Sequence, residues 1–238
     1  MKETAKKDRT HSLGEEKIIR LLLRFSLPAT LAMAVNASYN IVDTIFVGRL
    51  GADAIAALSI CYPVQMLLGA IAIGTGIGAG SLIARSLGAK DQKKASFVAG
   101  QVFLLSLLFG LAATLTGLFY LRPLLVLFGA TPEILELAVE YMSVIANGAL
   151  FLFFIMMMNH VTRAEGNPNF FMAVMISSAV INIILDPIFI FSLGMGIKGA
   201  AVATVIAKIA GVAIQLWYFL TGRSALSPSL KHLRPDLR

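Results

Sequence analysis

The chain contains a succession of long, nearly uncharged apolar runs, and this feature limits its possible folds more than any other. An α-helix needs about 20 apolar residues to cross the ~30 Å hydrocarbon core of a bilayer. Runs of this length predict six helices, at about residues 18–47, 54–84, 95–120, 132–161, 170–193 and 199–222. Because 58% of the 238 residues are hydrophobic and only 14% are charged, almost nothing is left for a water-soluble domain. We therefore expect an all-α membrane protein with six transmembrane helices.

Lysine and arginine are distributed unequally between the two ends of the predicted helices. Of the 20 Lys and Arg residues, 16 lie at one end, in the N-terminal segment, two loops and the C-terminal tail, whereas the opposite loops hold Arg49, Arg122 and Lys198. The positive-inside rule then places both termini in the cytoplasm, so we predict a multi-pass protein of the plasma (inner) membrane with a cytoplasmic segment at residues 1–17. The net charge of +7 comes from bases that flank the helices and meet lipid headgroups. We expect the lipid bilayer as a partner and no nucleic acid.

The sequence gives little support for an enzyme or a cofactor site. Ser81 has no histidine at a matching depth to activate it, and the 3 histidines are too dispersed for a zinc site. The glycine-rich run 74–80 lacks the Lys-Ser/Thr of a phosphate-binding loop and is typical of close helix packing. Nothing resembles the carbonyl selectivity filter of a pore. We expect no enzymatic activity and no cofactor.

Two aspartates interrupt the apolar runs, Asp43 in the first predicted helix and Asp186 in the fifth. Burying an ionisable group in lipid costs several kcal/mol, so such residues usually mark ion or substrate pathways. Each aspartate also ends a polar stripe at i, i+4, i+7 or i+8 spacing, which keeps the stripe on one helix face. The stripes are Asn36, Asn40 and Asp43, and Ser178, Asn182 and Asp186. We predict that they face a common substrate cavity that includes Asn36, Tyr39, Asn40 and Ser178.

Depth in the membrane is consistent with one site formed by several helices. At about 1.5 Å per residue, Asp43, Asp186, Thr204 and Tyr141 all fall in the outer half of the bilayer. Pro187 also deprives the Ile183 carbonyl of its helical partner beside Asp186. Such hard oxygen ligands suit Na⁺ or a bound proton. Two less specific interpretations stay open: single Asn, Ser and Thr residues often bond neighbouring helices, and Lys208 is a possible structural counter-ion for one aspartate.

Pro28 is followed along the chain by NIVDTIFVG at 40–48, RAEGNP at 163–168, NIILDP at 182–187 and GAAVAT at 199–204. In this order and spacing, the motifs resemble those of the multidrug and toxic compound extrusion (MATE) family. The resemblance is closest to the DNA-damage-inducible type. It implies export of hydrophobic, often cationic organic compounds in exchange for H⁺ or Na⁺. It also implies a cation or proton site, with Na⁺ as the possible metal, at Asp43, Asn182, Asp186 and Thr204, with Tyr141 nearby. Pro28 and Pro187 are the candidate hinges, although a proline such as Pro28 more often kinks a helix for packing.

Family members have twelve membrane-spanning helices in two lobes, and this chain has only six. The resemblance therefore implies that residues 18–222 form one lobe of a MATE-type bundle and that residues 223–238 begin a cytoplasmic linker. Either a C-terminal lobe is missing or a second copy of the chain replaces it. Two alternatives to drug efflux remain: a lipid-linked saccharide flippase of the same superfamily, and an inactive N-terminal fragment. A flippase would be expected to line its cavity with cations, whereas this interior offers two acids and one lysine.

Overall fold

The computed structural model describes residues 18–226, apart from the side chains of residues 20 and 21, and this part of the chain is helical with no β-strand. Seven α-helices follow one another: α1 (Ile18–Gly48), α2 (Ala52–Gly88), α3 (Gln92–Leu127), α4 (Pro132–Asn147), α5 (Ala149–Ala164), α6 (Pro168–Pro187) and α7 (Gly196–Leu220). A short π-helical segment, Ile188–Ser192, continues α6. The predicted cytoplasmic segment 1–17 and most of the predicted linker 223–238 lie outside the described residues.

The number of predicted transmembrane helices agrees with the structure. Five helical stretches are long and apolar enough to cross a membrane, and the bent pair of α4 and α5 provides a sixth. Two helices are longer than predicted, since α2 has 37 residues and α3 has 36. At about 1.5 Å per residue such a helix is about 54 Å long and extends beyond the hydrocarbon core. The expected all-α membrane fold is confirmed.

The fourth predicted helix, at residues 132–161, is not continuous. It divides at Gly148 into α4 and α5, whose axes differ by 56°. A side chain at Gly148 would collide with Val205 of α7, because a Cβ there would lie 2.4 Å from the Val205 Cγ2. The close approach of α7 therefore explains why glycine is needed at the bend. The predicted start of α4 is correct, with Thr131 at the N-cap and Pro132 in the first turn.

The helices pack in two groups that share α7. Helix α1 lies against α6, while α2 and α3 pack against α4 and α5, and α7 contacts α4, α5 and α6. We call one end of the bundle the Gly129 end, which contains the turns 49–51, 128–131 and 193–195. The other is the Glu165 end, which contains the turns 89–91 and 165–167 and residues 221–226. An apolar core lies near each end, one around Cys61 and Met142 and the other around Phe153 and Met158.

Candidate cation and substrate site

Two buried aspartates form the centre of the candidate site. Asp43 of α1 is 7% exposed and Asp186 of α6 is fully buried, and these two helices pack directly against each other. The carboxyl groups are close enough to interact electrostatically. The two aspartates that the sequence singled out are therefore brought together by the α1–α6 contact.

Asn182 connects the α6 aspartate to α7. Its Nδ2 donates to Asp186 Oδ1 at 3.1 Å and to Thr204 Oγ1 at 3.3 Å. The i, i+4 spacing of Asn182 and Asp186 places both on the same face of α6, and Thr204 faces them from α7. Three of the four residues predicted to bind a cation are thus joined by hydrogen bonds.

Several buried oxygens at this site have no hydrogen-bonding partner among residues 18–226. They are Asp43 Oδ1, Asp186 Oδ2 and Asn182 Oδ1. More than about 90% of buried polar groups in proteins are hydrogen-bonded, so three unpaired oxygens on neighbouring side chains favour a bound cation, proton or water. Carboxylate, amide and hydroxyl oxygens are the ligands that hard cations prefer. The donor set therefore fits Na⁺ or a bound proton.

Tyr141 of α4 is a further buried residue in the neighbourhood of Asp43. It is 3% exposed, and its hydroxyl group interacts electrostatically with the Asp43 carboxyl. Tyr141 is therefore within electrostatic range of Asp43, and its part in a cation site stays a prediction.

A small cavity lies between α1, α6 and α7, and it shares Asn182 and Thr204 with the hydrogen-bonded group around Asp186. Its polar lining residues are Tyr39, Ser178, Asn182, Thr204 and Lys208. Ser178 Oγ is a further buried atom with no partner among the described residues. Two of the predicted cavity residues, Tyr39 and Ser178, therefore line this cavity.

Asn36 and Asn40 do not line it. Asn40 is exposed and its Nδ2 donates to the Asn36 carbonyl at 2.8 Å. Residues at i, i+4 and i+7 of a helix share one broad face but do not point in the same direction. On α1, Asp43 is buried, whereas Asn40 is exposed at the surface. The polar stripe of α1 is thus divided between the lobe interior and its surface.

The two predicted hinge prolines occupy different kinds of position. Pro28 is buried within α1, which continues without a break on both sides of it. Pro187 is the last residue of α6, and the backbone after it changes to the π-helical form. A local change of helix type thus lies directly beside Asp186.

A third buried acid, Glu165, was not predicted from the sequence as a structural centre. It is 3% exposed at the Glu165 end and accepts hydrogen bonds from the Tyr218 hydroxyl, from Ser224 Oγ at 2.5 Å and from the Ala225 N–H at 3.0 Å. Burial raises the pKa of this carboxyl, and the hydrogen bonds from Ser224 and Tyr218 oppose that change. The sequence feature that could have indicated Glu165 is the position of this acid at the end of an apolar run, within the string RAEGNP.

The alternative role of Lys208, as a structural counter-ion for an aspartate, is not seen among residues 18–226. Its Nζ donates to the Tyr39 hydroxyl at 3.4 Å and lies 5.2 Å from the centre of the Tyr39 ring. Within residues 18–226 the ion pair that the structure shows is between Arg122 and Glu136. Lys208 is therefore a cavity residue without a carboxylate partner in the described part of the chain.

Comparison with known proteins identifies the family. The family model described as MatE matches residues 28–188, a range that begins at Pro28 and includes both aspartates. The chain belongs to the MatE family. This match confirms the resemblance that the sequence motifs carried.

Several relatives are similar to nearly the whole of this chain over about half of their own length. Multidrug export protein MepA of Staphylococcus aureus (strain MRSA252) is 30% identical over 232 residues, which is 97% of this chain and 51% of the relative. A protein named FAD transporter from Shewanella oneidensis is 32% identical over 212 residues, 87% of this chain and 47% of that protein. A structure described as the outward-facing conformation of a multidrug resistance MATE family transporter has a TM-score of 0.86 at 37% identity, over 91% of this chain and 48% of that one. The chain spans about half the length of the relatives it matches.

Proposed function

We propose that this chain is the N-terminal lobe of a secondary multidrug efflux transporter that exports hydrophobic or cationic organic compounds in exchange for H⁺ or Na⁺. The observation that carries the proposal is the pair of buried carboxylates between α1 and α6, each of which has one buried oxygen without a partner among the described residues. Ionisable groups buried in a membrane helix bundle cost several kcal/mol, and they usually mark an ion or proton pathway. The names of the relatives, among them a multidrug export protein, support the same function.

The coupling ion would bind where the unpaired oxygens converge. Asp43 and Asp186 would supply the charge. Asn182 would fix the positions of the Asp186 and Thr204 side chains through its two hydrogen bonds. A proton would be shared between the carboxyl groups, and Na⁺ would replace it by binding the same oxygens. A cationic substrate near this pair competes with the ion for the same negative charge, which is the physical basis of antiport.

The proposed conformational change involves α1, since this helix contributes Asp43 and packs principally against α6. When the ion neutralises Asp43, the electrostatic repulsion from Asp186 is removed and the α1–α6 contact becomes more favourable. Bending at Pro28, which is buried within α1, would then move the surface that carries Asn40. We expect both termini to lie in the cytoplasm, with Gly129 on the external side of the plasma membrane.

The partner of this lobe would be a C-terminal lobe or a second copy of the chain. Polar groups on the outside of α1, including Asn40 and Thr44, are exposed in the described structure, and polar groups are unfavourable in hydrocarbon. A cysteine at Asn40, in a chain with Cys61 replaced by Ala, should form cross-links to that partner in membranes. A cysteine at Leu118, which is exposed on α3, is the lipid-facing control. Equal cross-linking at both positions would contradict a specific interface at α1.

The experiment that tests the proposed function measures ion-driven efflux of a fluorescent organic cation from vesicles containing the assembled transporter. Asp43→Asn and Asp186→Asn should each reduce efflux by at least about a hundredfold, because the charge that binds the coupling ion is lost. Asp53→Asn, which alters an exposed acid in the first turn of α2, is the matched control. Efflux at the unsubstituted rate in both aspartate variants, with normal expression, would contradict the proposal.

A further inference from the structure

An exposed tryptophan and an arginine are stacked on each other where α7 ends. Trp217 is the only tryptophan of the chain, and it is 48% exposed. The Arg223 guanidinium lies 4.1 Å from the centre of the Trp217 ring, and a cation is attracted to an aromatic face within about 6 Å. Trp217 is close to the end of α7 at Leu220, about 5 Å from it along the helix axis. The pair therefore lies where a membrane-spanning helix meets the interface, a level at which Trp is enriched.

The segment after α7 fixes the position of Arg223. Gly222 has a φ of +67° and turns the chain, and the Arg223 N–H donates to the Tyr218 carbonyl at 3.3 Å. The next residue, Ser224, is buried and bonded to Glu165. Because the backbone is held on both sides of Arg223, less conformational freedom is lost when this residue binds a ligand.

The stacked arrangement leaves the hydrogen-bond donors of Arg223 available. A guanidinium stacks through its planar face, whereas its five N–H groups form a fork in the plane that matches a phosphate group. Arg223 is exposed, and the ion pair that residues 18–226 show is that of Arg122 and Glu136. Arg223 therefore has no acidic partner in the part of the chain that the structure describes.

Positive charge surrounds Arg223. Gln92 Nε2 donates to the Ala225 carbonyl at 2.7 Å, so the first turn of α3 lies beside the segment that carries Arg223. This turn contains Lys93 and Lys94, and both are exposed. Basic residues near the membrane surface attract anionic lipid headgroups.

Apolar surface adjoins this positive charge on the membrane side. Leu220 follows Trp217 at i+3 on the same broad face of α7, and it is 83% exposed. The exposed surface of these two side chains suits an acyl chain. A ligand that fits both features has a negatively charged headgroup and an apolar tail.

We propose that Arg223 and Trp217 form a binding site for an anionic phospholipid. The guanidinium fork donates to the lipid phosphate, Lys93 and Lys94 add electrostatic attraction, and the acyl chain lies along Trp217 and Leu220. A free phosphate ion would satisfy Arg223 but would leave the apolar surface without a partner, which favours a lipid as the occupant. This inference does not depend on the proposed efflux function.

The fluorescence of Trp217 provides the test, because the chain has no other tryptophan. The full chain is reconstituted in vesicles of phosphatidylglycerol and phosphatidylcholine, in which one lipid or the other carries bromine atoms near the upper end of an acyl chain. Bromine quenches tryptophan only at short range, so the two vesicle types, otherwise identical in composition, measure the enrichment of each lipid beside Trp217. We expect phosphatidylglycerol to be enriched about fivefold over its bulk fraction.

Two substitutions of Arg223 and one control test the assignment. Arg223→Gln should lower the enrichment to about the bulk fraction, because the charged fork is lost, and Arg223→Glu should exclude phosphatidylglycerol. Quenching by brominated phosphatidylcholine should then increase, which a misfolded chain would not show. Arg49→Gln is the matched control and should keep the enrichment. Arg49 is also exposed and lies over a ring, that of Phe46 at 5.8 Å, but at the Gly129 end.

Several results would overturn the proposal. They are the absence of enrichment in the unsubstituted chain, unchanged enrichment in Arg223→Gln, and an equal loss in Arg49→Gln, which would indicate a general attraction to positive charge. Displacement of phosphatidylglycerol by inorganic phosphate at constant ionic strength would assign the site to a free ion. Weak quenching by both brominated lipids would show that a protein surface, rather than lipid, covers Trp217.

Discussion

The lobe buries carboxylates in two regions, which differ in whether protein groups donate hydrogen bonds to the carboxylate oxygens. At the Glu165 end, both oxygens of Glu165 accept hydrogen bonds, from Tyr218, Ser224 and Ala225. Between α1 and α6, Asp43 and Asp186 each keep a buried oxygen without a partner among residues 18–226. A carboxylate whose oxygens are all bonded by protein donors holds chain segments together, whereas one with unpaired oxygens is available to an ion. The comparison thus separates an acid that is fully bonded within the chain from a pair whose unpaired oxygens fit the ion site that we propose.

The bonded acid also explains how the chain leaves the bundle. Ser224 and Leu226 follow α7 and are buried, at 0% and 2% exposure. Gln92 Nε2 donates to the Ala225 carbonyl at 2.7 Å, so α3 holds the same segment from the other side. The start of the predicted linker is therefore fastened to the Glu165 end of the lobe. No comparable set of protein donors surrounds Asp43 or Asp186 among the described residues.

Glu165→Ala should produce the largest loss of stability of any change at these acids. It leaves the Tyr218 and Ser224 hydroxyls and the Ala225 N–H without their acceptor, and each unsatisfied buried group costs about 1–3 kcal/mol. We expect the free energy of unfolding to fall by about 3 kcal/mol or more, as measured by denaturant titration in micelles. Glu136→Ala, which removes only a surface ion pair with Arg122, should cost less than about 1 kcal/mol. Equal losses in the two variants would contradict the structural role of Glu165.

A bound ion should raise the free energy of unfolding through Asp43 and Asp186, and this gain should not depend on Glu165. If Na⁺ binds only the folded chain, the stability gained is about 2.7 kcal/mol at a concentration of one hundred times Kd. We expect NaCl to raise the unfolding free energy of the unsubstituted chain relative to choline chloride at equal ionic strength. Asp186→Asn should abolish this gain, and Glu165→Gln should keep it. A gain of equal size in Asp186→Asn would place the sodium site elsewhere, and no gain in any variant would favour H⁺ as the coupling ion.

Lowering the pH should stabilise the attachment of residues 223–226 to the Glu165 end, with a smaller effect than that of sodium on the aspartate pair. Because burial raises the pKa of Glu165, the folded chain holds this proton more tightly than the unfolded chain does. The stabilisation is therefore fully present below the pKa of an unfolded glutamate, about 4.3, and is lost as the pH rises through the higher pKa of the folded chain. Proteolysis after residue 222 should accordingly become faster as the pH rises from about 4 to about 8. Glu165→Gln should flatten this profile, and an unchanged profile would assign the pH dependence to another group.

Asn40→Ala should have the smallest effect on the lobe. Asn40 is exposed, and its side chain is bonded only to the Asn36 carbonyl one turn earlier. We expect a change of less than about 0.5 kcal/mol in the free energy of unfolding, as for most surface substitutions. Asn182→Ala is the buried counterpart, because it breaks the hydrogen bonds to Asp186 and Thr204, and it should cost about 1–3 kcal/mol. Similar losses for the two asparagines would contradict the division of the α1 stripe from the interior site.

Local patterns in the sequence were sufficient to predict the class of fold and several of the residues that lie together at the candidate site. Long apolar runs require helices because a bilayer offers no hydrogen bonds to an unpaired backbone, so six transmembrane helices followed from length and composition. Asp43 and Asp186 stood out because ionisable residues are rare in such runs. The spacing of Asn182 and Asp186 follows directly from the helical repeat. These inferences depend on neighbours along the chain, which a sequence displays.

Contacts between distant segments decided the rest. The bend at Gly148 depends on Val205 of α7, the partners of Glu165 come from residues more than fifty positions away, and the exposure of Asn40 depends on how α1 is rotated against α6. Lys208 showed the same limit: its position allowed a counter-ion role, and the structure instead places its ammonium group beside Tyr39. The sequence by itself determined which segments enter the membrane and which of their residues are costly to bury. The tertiary structure alone decided which of those residues meet, because helix rotation and packing are set by many weak contacts that leave no local pattern.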